Sequence, residues 1–318
     1  KKNISPRIMT PPNKKSISII ISLPYIYIPI RAIIYALIIF VMTQTHIIIG
    51  PTASGKSNYS LELAQRESAH IISADAFQIY TDFNIGTGTL TKKEMGRIPH
   101  HLINSKSPNE PYSVQEFLDN TQSIIQKLSH QNIPIIICGG SAMYLKALLY
   151  GYRPLKRLPE HERPTGDPKT LWEPLHTIDP DLANKTPYQN TQRVQRYLEL
   201  HMIYNVAPST LFVSKPFDPT LYKVTGIQIE TELLKKNIHH RIDTMLHNGW
   251  VDEVQQLMKK YDTTSPAFSA IGYKEIIQWI EGKINKSTMI TTIKQKTCQY
   301  AKRQMTWFRT FDHVEWIS

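Results

Sequence analysis

A glycine-rich turn between an apolar segment and a helical segment constrains the fold of this 318-residue chain more than any other feature. Residues 46–49 (HIII) predict a buried strand, residues 50–57 read GPTASGKS, and residues 58–67 predict an amphipathic helix. The turn matches the pattern G-x-x-x-x-G-K-[ST], in the order strand, turn, helix that this pattern requires. In such a turn, backbone N–H groups and the N-terminus of the helix surround phosphate oxygens. We therefore expect the chain to bind a phosphate or a diphosphate.

Two side chains of this turn have predicted roles. We expect Lys56 to reach the terminal phosphate and the Ser57 hydroxyl to bind Mg²⁺, which is the predicted cofactor. The residues predicted to bind the diphosphate or nucleotide are Gly50, Pro51, Thr52, Ala53, Ser54, Gly55, Lys56 and Ser57. The turn alone does not separate ATP chemistry from the binding of a diphosphate leaving group.

Cysteine usage and charge limit the functional class. The two cysteines, Cys138 and Cys298, lie far apart in the sequence, and this usage predicts no disulfide framework and a cytoplasmic location. The formal net charge is +11, of which residues 1–41 contribute +6, because they hold six Lys and Arg and no acidic residue. The rest of the chain is mildly basic, which allows a nucleic-acid partner without requiring one.

Residues 1–41 differ in composition from the rest of the chain, since they are rich in Ile, Pro and Tyr. One interpretation is an apolar membrane anchor or uncleaved signal, because basic residues precede a long apolar run. Pro24, Pro29 and Arg31 interrupt that run, which disfavours a spanning helix. The interpretation that we favour takes Met42 as the start and residues 1–41 as translated upstream sequence. On either interpretation this segment is excluded from the prediction of the fold.

The segments after Met42 predict an α/β fold. Apolar residues 71–73, 133–138 and 221–229 predict further strands, separated by helical segments. Repeated strand–helix units with right-handed crossovers give a parallel sheet flanked by helices, as in the P-loop NTPases. We predict this core at residues 42–150 and 217–318. Residues 151–216 are proline-rich and then helical, and they predict a helical insertion.

Candidate site residues follow two of the predicted strands. Asp75 follows the strand at 71–73, where it is either a general base or metal-associated carboxylate, or an ordinary turn residue. Gly139, Gly140 and Ser141 follow the strand at 133–138, and they predict either a second close approach of backbone to ligand or simply a tight turn. His100 and His101, in the long loop after Asp75, are expected to be structural or exposed to solvent.

Helices are predicted at residues 115–129, 142–150, 231–248, 250–261 and 291–309. The last of these helices interleaves basic and aromatic residues. This pattern is typical either of RNA binding or of a helix whose apolar stripe packs in the core while its charged face is exposed to solvent. Gln192, Arg193 and Arg196 share one helix face, and an Arg pair alone most simply indicates a solvated surface.

Eight ordered motifs resemble those of the tRNA dimethylallyltransferases and cover nearly all of residues 42–318. They are GPTASGKS at 50–57, SADAFQIY at 73–80, NIGT at 84–87, GGSAMY at 139–144, QRVQR at 192–196, RIDTMLHNG at 241–249, AIGYK at 270–274 and AKRQMTWFR at 301–309. Members of this family transfer a dimethylallyl group from its diphosphate to N6 of an adenine beside the tRNA anticodon. The resemblance implies two partners, dimethylallyl diphosphate and the anticodon stem-loop of tRNA, and a monomer without a stable protein partner.

The resemblance also implies roles for individual residues. Asp75 would be the general base for the adenine amine, and Ser141 and Arg241 would be the other catalytic residues. Ser141 stands where the family usually has Thr and keeps a hydroxyl near the reacting centre. The residues implied at the tRNA are Asp75, Ala76, Phe77, Gln78, Arg163, Gln192, Arg193, Val194, Gln195, Arg196, Lys274, Lys302, Arg303 and Arg309.

The chain departs from the family pattern at several positions. Ala76 replaces the usual Ser, Gly88-Thr89-Leu90 replaces Ala-Lys-Pro, Gln189-Asn190 replaces Asn-Asp, and the helical insertion after Arg163 looks shortened. Each change removes a hydrogen bond or charge that would help to hold RNA, so whether activity or the choice of tRNA is altered stays open. Two alternatives also stay open: an adenine-nucleotide isopentenyltransferase, and a P-loop small-molecule kinase or non-catalytic nucleotide-binding module.

Overall fold

Six parallel strands form a single sheet in the computed structural model, which describes residues 44–152, 155–212 and 214–318. The strands are β1 (Thr45–Ile49), β2 (His70–Ser73), β3 (His100–His101), β4 (Ile135–Gly139), β5 (Tyr222–Ile227) and β6 (Val314–Ile317). Their order in the sheet is β3-β2-β4-β1-β5-β6. The predicted α/β fold with a parallel sheet is confirmed, and residues 1–41, with the two interpretations given for them, lie outside the described residues.

Eleven helices accompany these strands in the described part of the chain. They are α1 (Lys56–Glu67), α2 (Lys92–Met95), α3 (Val114–His130), α4 (Ala142–Tyr150), α5 (Pro168–Ile178), α6 (Pro180–Asn184), α7 (Thr191–Tyr204), α8 (Thr231–His247), α9 (Trp250–Lys260), α10 (Tyr273–Ile280) and α11 (Lys286–Phe308). Among the residues described, no helix is both long and apolar enough to cross a bilayer.

Two predicted helix boundaries illustrate what the sequence encodes locally. The side chain of Ser113 accepts a hydrogen bond from the N–H of Glu116, and Glu116 bonds back to Ser113, so a capping box starts α3 close to the predicted position. α11 begins five residues earlier than predicted, because Asn285 accepts from the N–H of Thr288 and supplies the N-cap.

Helices pack against both faces of the sheet. The central strand β1 is buried on both, with Ile47, Ile48 and Ile49 fully inaccessible. Ile47 and Ile49 contact the apolar cluster formed with α3 and α4, whereas Ile48 contacts the cluster formed with α1. Continuous burial of this kind explains the unbroken apolar run of the strand.

A third apolar cluster lies beyond the sheet and fixes the C-terminal helices. It joins α8, α9, α10 and α11 to the segment that follows β2, with Trp250, Tyr273 and Phe83 among its largest buried side chains. This cluster holds α8 and α11 at the carboxyl ends of the strands, where α/β folds bind ligands.

The predicted insertion is helical and has a small apolar cluster of its own. Leu171 and Leu175 of α5 pack against Val194 and Leu198 of α7. The indole N–H of Trp172 donates to the carbonyl oxygens of Ala183 and Thr186, which ties α5 to α6 and to the residues that follow it. The division into a core and an insertion at residues 151–216 remains a prediction.

The two edge strands were not predicted. β3 consists of His100 and His101 alone, and β6 is a short strand that pairs with β5. His101 Nε2 lies 3.0 Å from His70 Nδ1, and the two rings stack with their centroids 5.2 Å apart. His101 is therefore structural, as predicted.

This histidine pair predicts a stability that depends on pH. Burial lowers the pKa of both His70 and His101 from the ordinary value of 6.5. Below pH 6.5 the unfolded chain therefore binds more protons than the folded chain, so the free energy of unfolding falls as the pH falls through that window. In His101→Gln, urea unfolding should show a smaller loss of stability between neutral and mildly acidic pH than in the wild type. The exposed His130, replaced by Gln, is the matched control and should behave as the wild type; parallel losses in all three proteins would contradict the prediction.

Candidate active site

The glycine-rich turn folds around the end of β1. Ala53 and Gly55 have positive φ angles of 63° and 89°, and α1 begins at Lys56 directly afterwards. Alternation of left-handed residues with right-handed ones directs neighbouring N–H groups toward one side and can form a concave anion site. The ammonium group of Lys56 donates to the carbonyl oxygen of Pro51 over 3.1 Å, inside the same turn.

A cavity of about 330 Å³ opens at the carboxyl ends of the strands. The glycine-rich turn at residues 50–57, called the phosphate turn below, lines this cavity through Thr52, Ala53, Lys56 and Ser57. Other elements contribute polar side chains to the same cavity: Ser73, Asp75, Gln78, His100, Arg241, Thr297, Tyr300, Arg303 and Gln304. The structure therefore brings the Asp75 carboxyl and the phosphate turn into one space.

The Asp75 side chain is oriented by the backbone that follows it. Its Oδ1 atom accepts hydrogen bonds from the N–H groups of Phe77 (2.9 Å) and Gln78 (3.3 Å). Oδ2 accepts none from the residues that the structure describes, so one carboxylate oxygen is fixed and the other is open to a ligand. Asp75 thus combines the turn-forming role and the position of a candidate base, which the sequence had left as alternatives.

Ser141 lies behind this turn and supports it. Its N–H donates to the carbonyl oxygen of Ala74 (3.1 Å), and its Oγ accepts from the N–H of Ala76 (3.0 Å). The hydroxyl was expected near the reacting centre; in the structure it holds Ala76, while the Ser141 N–H holds Ala74 on the other side of Asp75. Ser141 is in this geometry a positioning residue for Asp75.

Lys56 and Arg241 are half-buried cations that line the cavity. Burial is the largest effect on each and lowers the pKa of both, and each positive charge lies close enough to Asp75 to be favoured by it. Neither side chain forms a salt bridge within the described ranges. Two half-buried cations that face one cavity without a paired carboxylate favour an anion with more than one charge.

A carboxylate from outside the predicted motifs shapes the loop beside Arg241. Glu253 of α9 accepts hydrogen bonds from the N–H groups of Asn84 (3.0 Å), Ile85 (2.7 Å) and Gly86 (3.2 Å). The Tyr273 hydroxyl donates to the same carboxylate over 2.8 Å. No sequence pattern indicates this interaction, because Glu253 and the loop are separated by 167 to 169 residues.

The loop that Glu253 holds provides the space for Arg241. Gly88 has a φ angle of 63°, and a Cβ atom there would overlap the Arg241 guanidinium. Glycine at this position therefore supplies both the left-handed conformation and the room that the side chain occupies.

The residues predicted to bind tRNA fall into two groups. Asp75, Phe77, Gln78 and Arg303 line the cavity, and Ala76 packs against the main apolar cluster beside it. The remaining ones lie outside the cavity wall, and the exposed members are Gln192, Arg193, Lys274, Lys302 and Arg309. Arg163 and Gln195 are half-buried on the insertion, where Gln195 donates to the carbonyl oxygen of Pro164.

Two residues of the insertion have structural partners instead. Val194 is fully buried in the cluster between α5 and α7, so its side chain has no surface for RNA. The Arg196 guanidinium donates to the carbonyl oxygens of Leu155 and Lys156 and to the buried carboxylate of Glu199. The Val194 side chain is thus part of the core of the insertion, and the assignment of Val194 to tRNA binding stays a prediction. Arg196 ties the start of the insertion to α7.

Comparisons with known proteins agree with this architecture. A family model described as IPP transferase matches residues 78–311. The chain is 34% identical over 286 residues to the tRNA dimethylallyltransferase of Staphylococcus carnosus, covering 85% of this chain and 90% of that protein. It is 36% identical over 289 residues to the tRNA dimethylallyltransferase of an Exiguobacterium strain, covering 86% and 90%.

Two solved structures are similar. The tRNA isopentenylpyrophosphate transferase of Bacillus halodurans superimposes with a TM-score of 0.65 at 32% identity, covering 86% of this chain and 89% of that chain. A eukaryotic dimethylallyltransferase, in a study of its action on tRNA, superimposes with a TM-score of 0.70 at 28% identity, covering 83% and 70%.

The Glu253 interaction is testable by substitution. Glu253→Ala leaves three N–H groups of the loop without their acceptor, and it should lower the free energy of unfolding by about 1–3 kcal/mol. Because the loop also seats Arg241, binding of inorganic diphosphate, measured by calorimetry, should weaken. Asp252→Asn, on the exposed side of the same helical turn, is the control. If Glu253→Ala binds diphosphate as tightly as that control does, the loop does not position Arg241.

Proposed function

The chain belongs to the IPP transferase family, and on that premise we propose that it transfers a dimethylallyl group from dimethylallyl diphosphate to the N6 amine of an adenosine adjacent to the anticodon of tRNA. The product would be N6-dimethylallyladenosine. The observation that supports this assignment most directly is the shared cavity, which holds two half-buried cations, Lys56 of the phosphate turn and Arg241 of α8, and an oriented carboxylate, Asp75. A diphosphate and a nucleophile can therefore meet there.

The phosphate turn, Lys56 and Arg241 bind and stabilise the leaving group. Negative charge grows on the diphosphate as its bond to the allylic carbon breaks. Fixed N–H groups and half-buried cations stabilise that charge more strongly than water does, because they need no reorganisation during the step. Phosphoryl transfer is not required for any of these contacts.

The apolar side of the cavity protects the allylic carbon. Ile238, Ile242 and Met245 of α8 line it, together with Leu90 and Ile271. An electron-poor carbon would react with water, so a wall of aliphatic side chains favours transfer to the amine over hydrolysis.

Asp75 receives the proton of the attacking amine. The N6 lone pair of adenine is delocalised into the ring, so the amine is a weak nucleophile and benefits from a base within hydrogen-bond reach. The new N6–C bond forms as the C–O bond of the donor breaks, the diphosphate leaves with the bonding electron pair, and the proton passes to the open oxygen of Asp75.

The RNA is expected to approach along α11. Lys302, Arg303 and Arg309 are exposed on this helix, and Arg303 also reaches the cavity wall. Exposed cations suit the phosphate backbone, and the adenine must leave its stack to enter an enclosed site. A free mononucleotide would need no such extended basic surface.

Mg²⁺ fits the donor set as a substrate-borne ion. Among the described residues, no group of three or more His, Cys, Asp or Glu side chains could hold a metal by itself. The Ser57 hydroxyl lines the cavity, and Mg²⁺ commonly combines few protein ligands with water and substrate phosphates. The ion, when bound, would neutralise part of the diphosphate charge. We further propose that the protein acts as a cytoplasmic monomer.

Replacement of Asp75 tests the proposed function. Asp75→Asn keeps an oxygen for the N–H groups of Phe77 and Gln78 but removes the base, so transfer from labelled dimethylallyl diphosphate to an unmodified tRNA should fall by about 10²-fold or more. Binding of inorganic diphosphate should be unchanged or tighter, because a negative charge near two cations is lost. The wild type supplies the reference rate.

Three outcomes would contradict the proposal. If Asp75→Asn transfers the label as fast as the wild type, Asp75 is not the base. Transfer by the wild type to free adenine nucleotide but not to tRNA would show that the chain is an adenine-nucleotide isopentenyltransferase. Acceptor-dependent ATP turnover without any reaction of the prenyl donor would assign a kinase.

A further inference from the structure

One buried amide joins the phosphate turn to the neighbouring strand end. Gln304 of α11 accepts a hydrogen bond from the N–H of Thr52 through Oε1 (2.8 Å) and donates through Nε2 to the carbonyl oxygen of Gly140 (2.8 Å). Its side chain is only 4% exposed. Both polar ends of the amide are therefore occupied by backbone groups of the protein.

The two backbone segments that Gln304 joins are both parts of the proposed site. Thr52 lies within the phosphate turn, and Gly140 lies between β4 and Ser141, which supports Asp75. A Cβ atom at Gly140 would overlap the Gln304 amide. The approach of this side chain thus accounts for Gly140, whereas a Cβ atom at Gly139 would overlap the backbone of Ala74.

The helix that carries Gln304 also contacts the other cationic part of the site. Lys294, earlier in α11, forms a salt bridge of 2.7 Å with Asp243 on α8, two residues after Arg241. Towards the C-terminal end of the same helix, Lys302, Arg303 and Arg309 are exposed. A displacement of α11 would therefore move Gln304 and the cations at the proposed RNA surface together.

We propose that Gln304 is a positioning residue for the diphosphate: it holds the phosphate turn in its binding conformation through the N–H of Thr52, without itself contacting the diphosphate. The identification of that diphosphate as the prenyl donor rests on the proposed function. Burial of an amide side chain costs little free energy when its oxygen and its nitrogen are both hydrogen-bonded. Loss of either hydrogen bond leaves a buried backbone group without a partner. An apolar side chain of the same size would fill the volume and leave the turn unanchored.

Gln304→Met tests the proposal in the full chain. Methionine keeps the length and apolar volume of the side chain but offers neither hydrogen bond. The dissociation constant for inorganic diphosphate, measured by calorimetry in the absence of RNA, should rise by about 10-fold or more, which corresponds to about 1.4 kcal/mol. The KM for dimethylallyl diphosphate should rise by a similar factor, while kcat and the KM for tRNA change much less.

Lys302→Gln, two residues away on the exposed face of α11, is the matched control with the opposite expectation. It should raise the KM for tRNA and leave diphosphate binding within about twofold, since an exposed charge is screened by salt. Thermal unfolding of each variant verifies that the chain is folded.

Gln304→Glu provides a second variant if the methionine variant does not fold. A carboxylate still accepts from Thr52 but repels the carbonyl oxygen of Gly140, and it regains the donor only when protonated. Its defect in diphosphate binding, relative to the wild type at the same pH, should therefore shrink in mildly acidic buffer.

Two results would overturn the positioning role. Unchanged diphosphate binding in a folded Gln304→Met protein would exclude it. A rise in the KM for tRNA alone would show instead that Gln304 contacts the nucleic acid. Because diphosphate binding needs neither RNA nor turnover, the first conclusion can be reached even if the chain does not transfer a prenyl group to tRNA.

Discussion

The partial burial of two positive charges in one cavity is the constraint on which the rest of the structure depends. Removing an ammonium or guanidinium group from water is costly unless a counter-charge compensates it. In the described part of the chain, Lys56 and Arg241 have no salt-bridge partner, and Asp75 is the acidic group whose field reaches both. The fold therefore holds these cations in place before a ligand arrives, and an anionic ligand recovers that cost.

The scaffold achieves this by anchoring the two cations on different elements. Lys56 follows β1 in the centre of the sheet, whose register with β4 and β5 is fixed by fully buried isoleucines. Arg241 lies on α8, outside the sheet, and its position depends on the loop that Glu253 secures. The cluster around Trp250 and Tyr273 joins these two parts, which is why so much apolar surface surrounds a site for anions.

The sequence predicted the elements whose signals are local. The phosphate turn, the strands β1, β2, β4 and β5, and the position of Asp75 after β2 all follow from short patterns of residue type. Glu253 and Gln304 could not be found in that way, because each binds backbone groups more than 160 residues distant. Every non-proline residue has the same backbone N–H and C=O groups. A hydrogen bond from a side chain to one of them therefore requires no particular residue type at the partner position, and the sequence does not reveal it. β3 escaped prediction for another reason: a strand of two histidines has no apolar run.

At several positions where the chain departs from the family pattern, the contacts seen in the structure are made by the main chain and not by the side chain. At Ala76 the group in use is the N–H, which donates to Ser141, and the methyl side chain packs against the main apolar cluster. At Gly88 a side chain is excluded by the guanidinium of Arg241. At Asn190 the carbonyl oxygen accepts from Arg193 and Val194 at the start of α7, while its side chain forms no cap. At positions 76 and 190 the contact belongs to the main chain, so a change of side chain preserves it, whereas position 88 has room only for glycine beside Arg241.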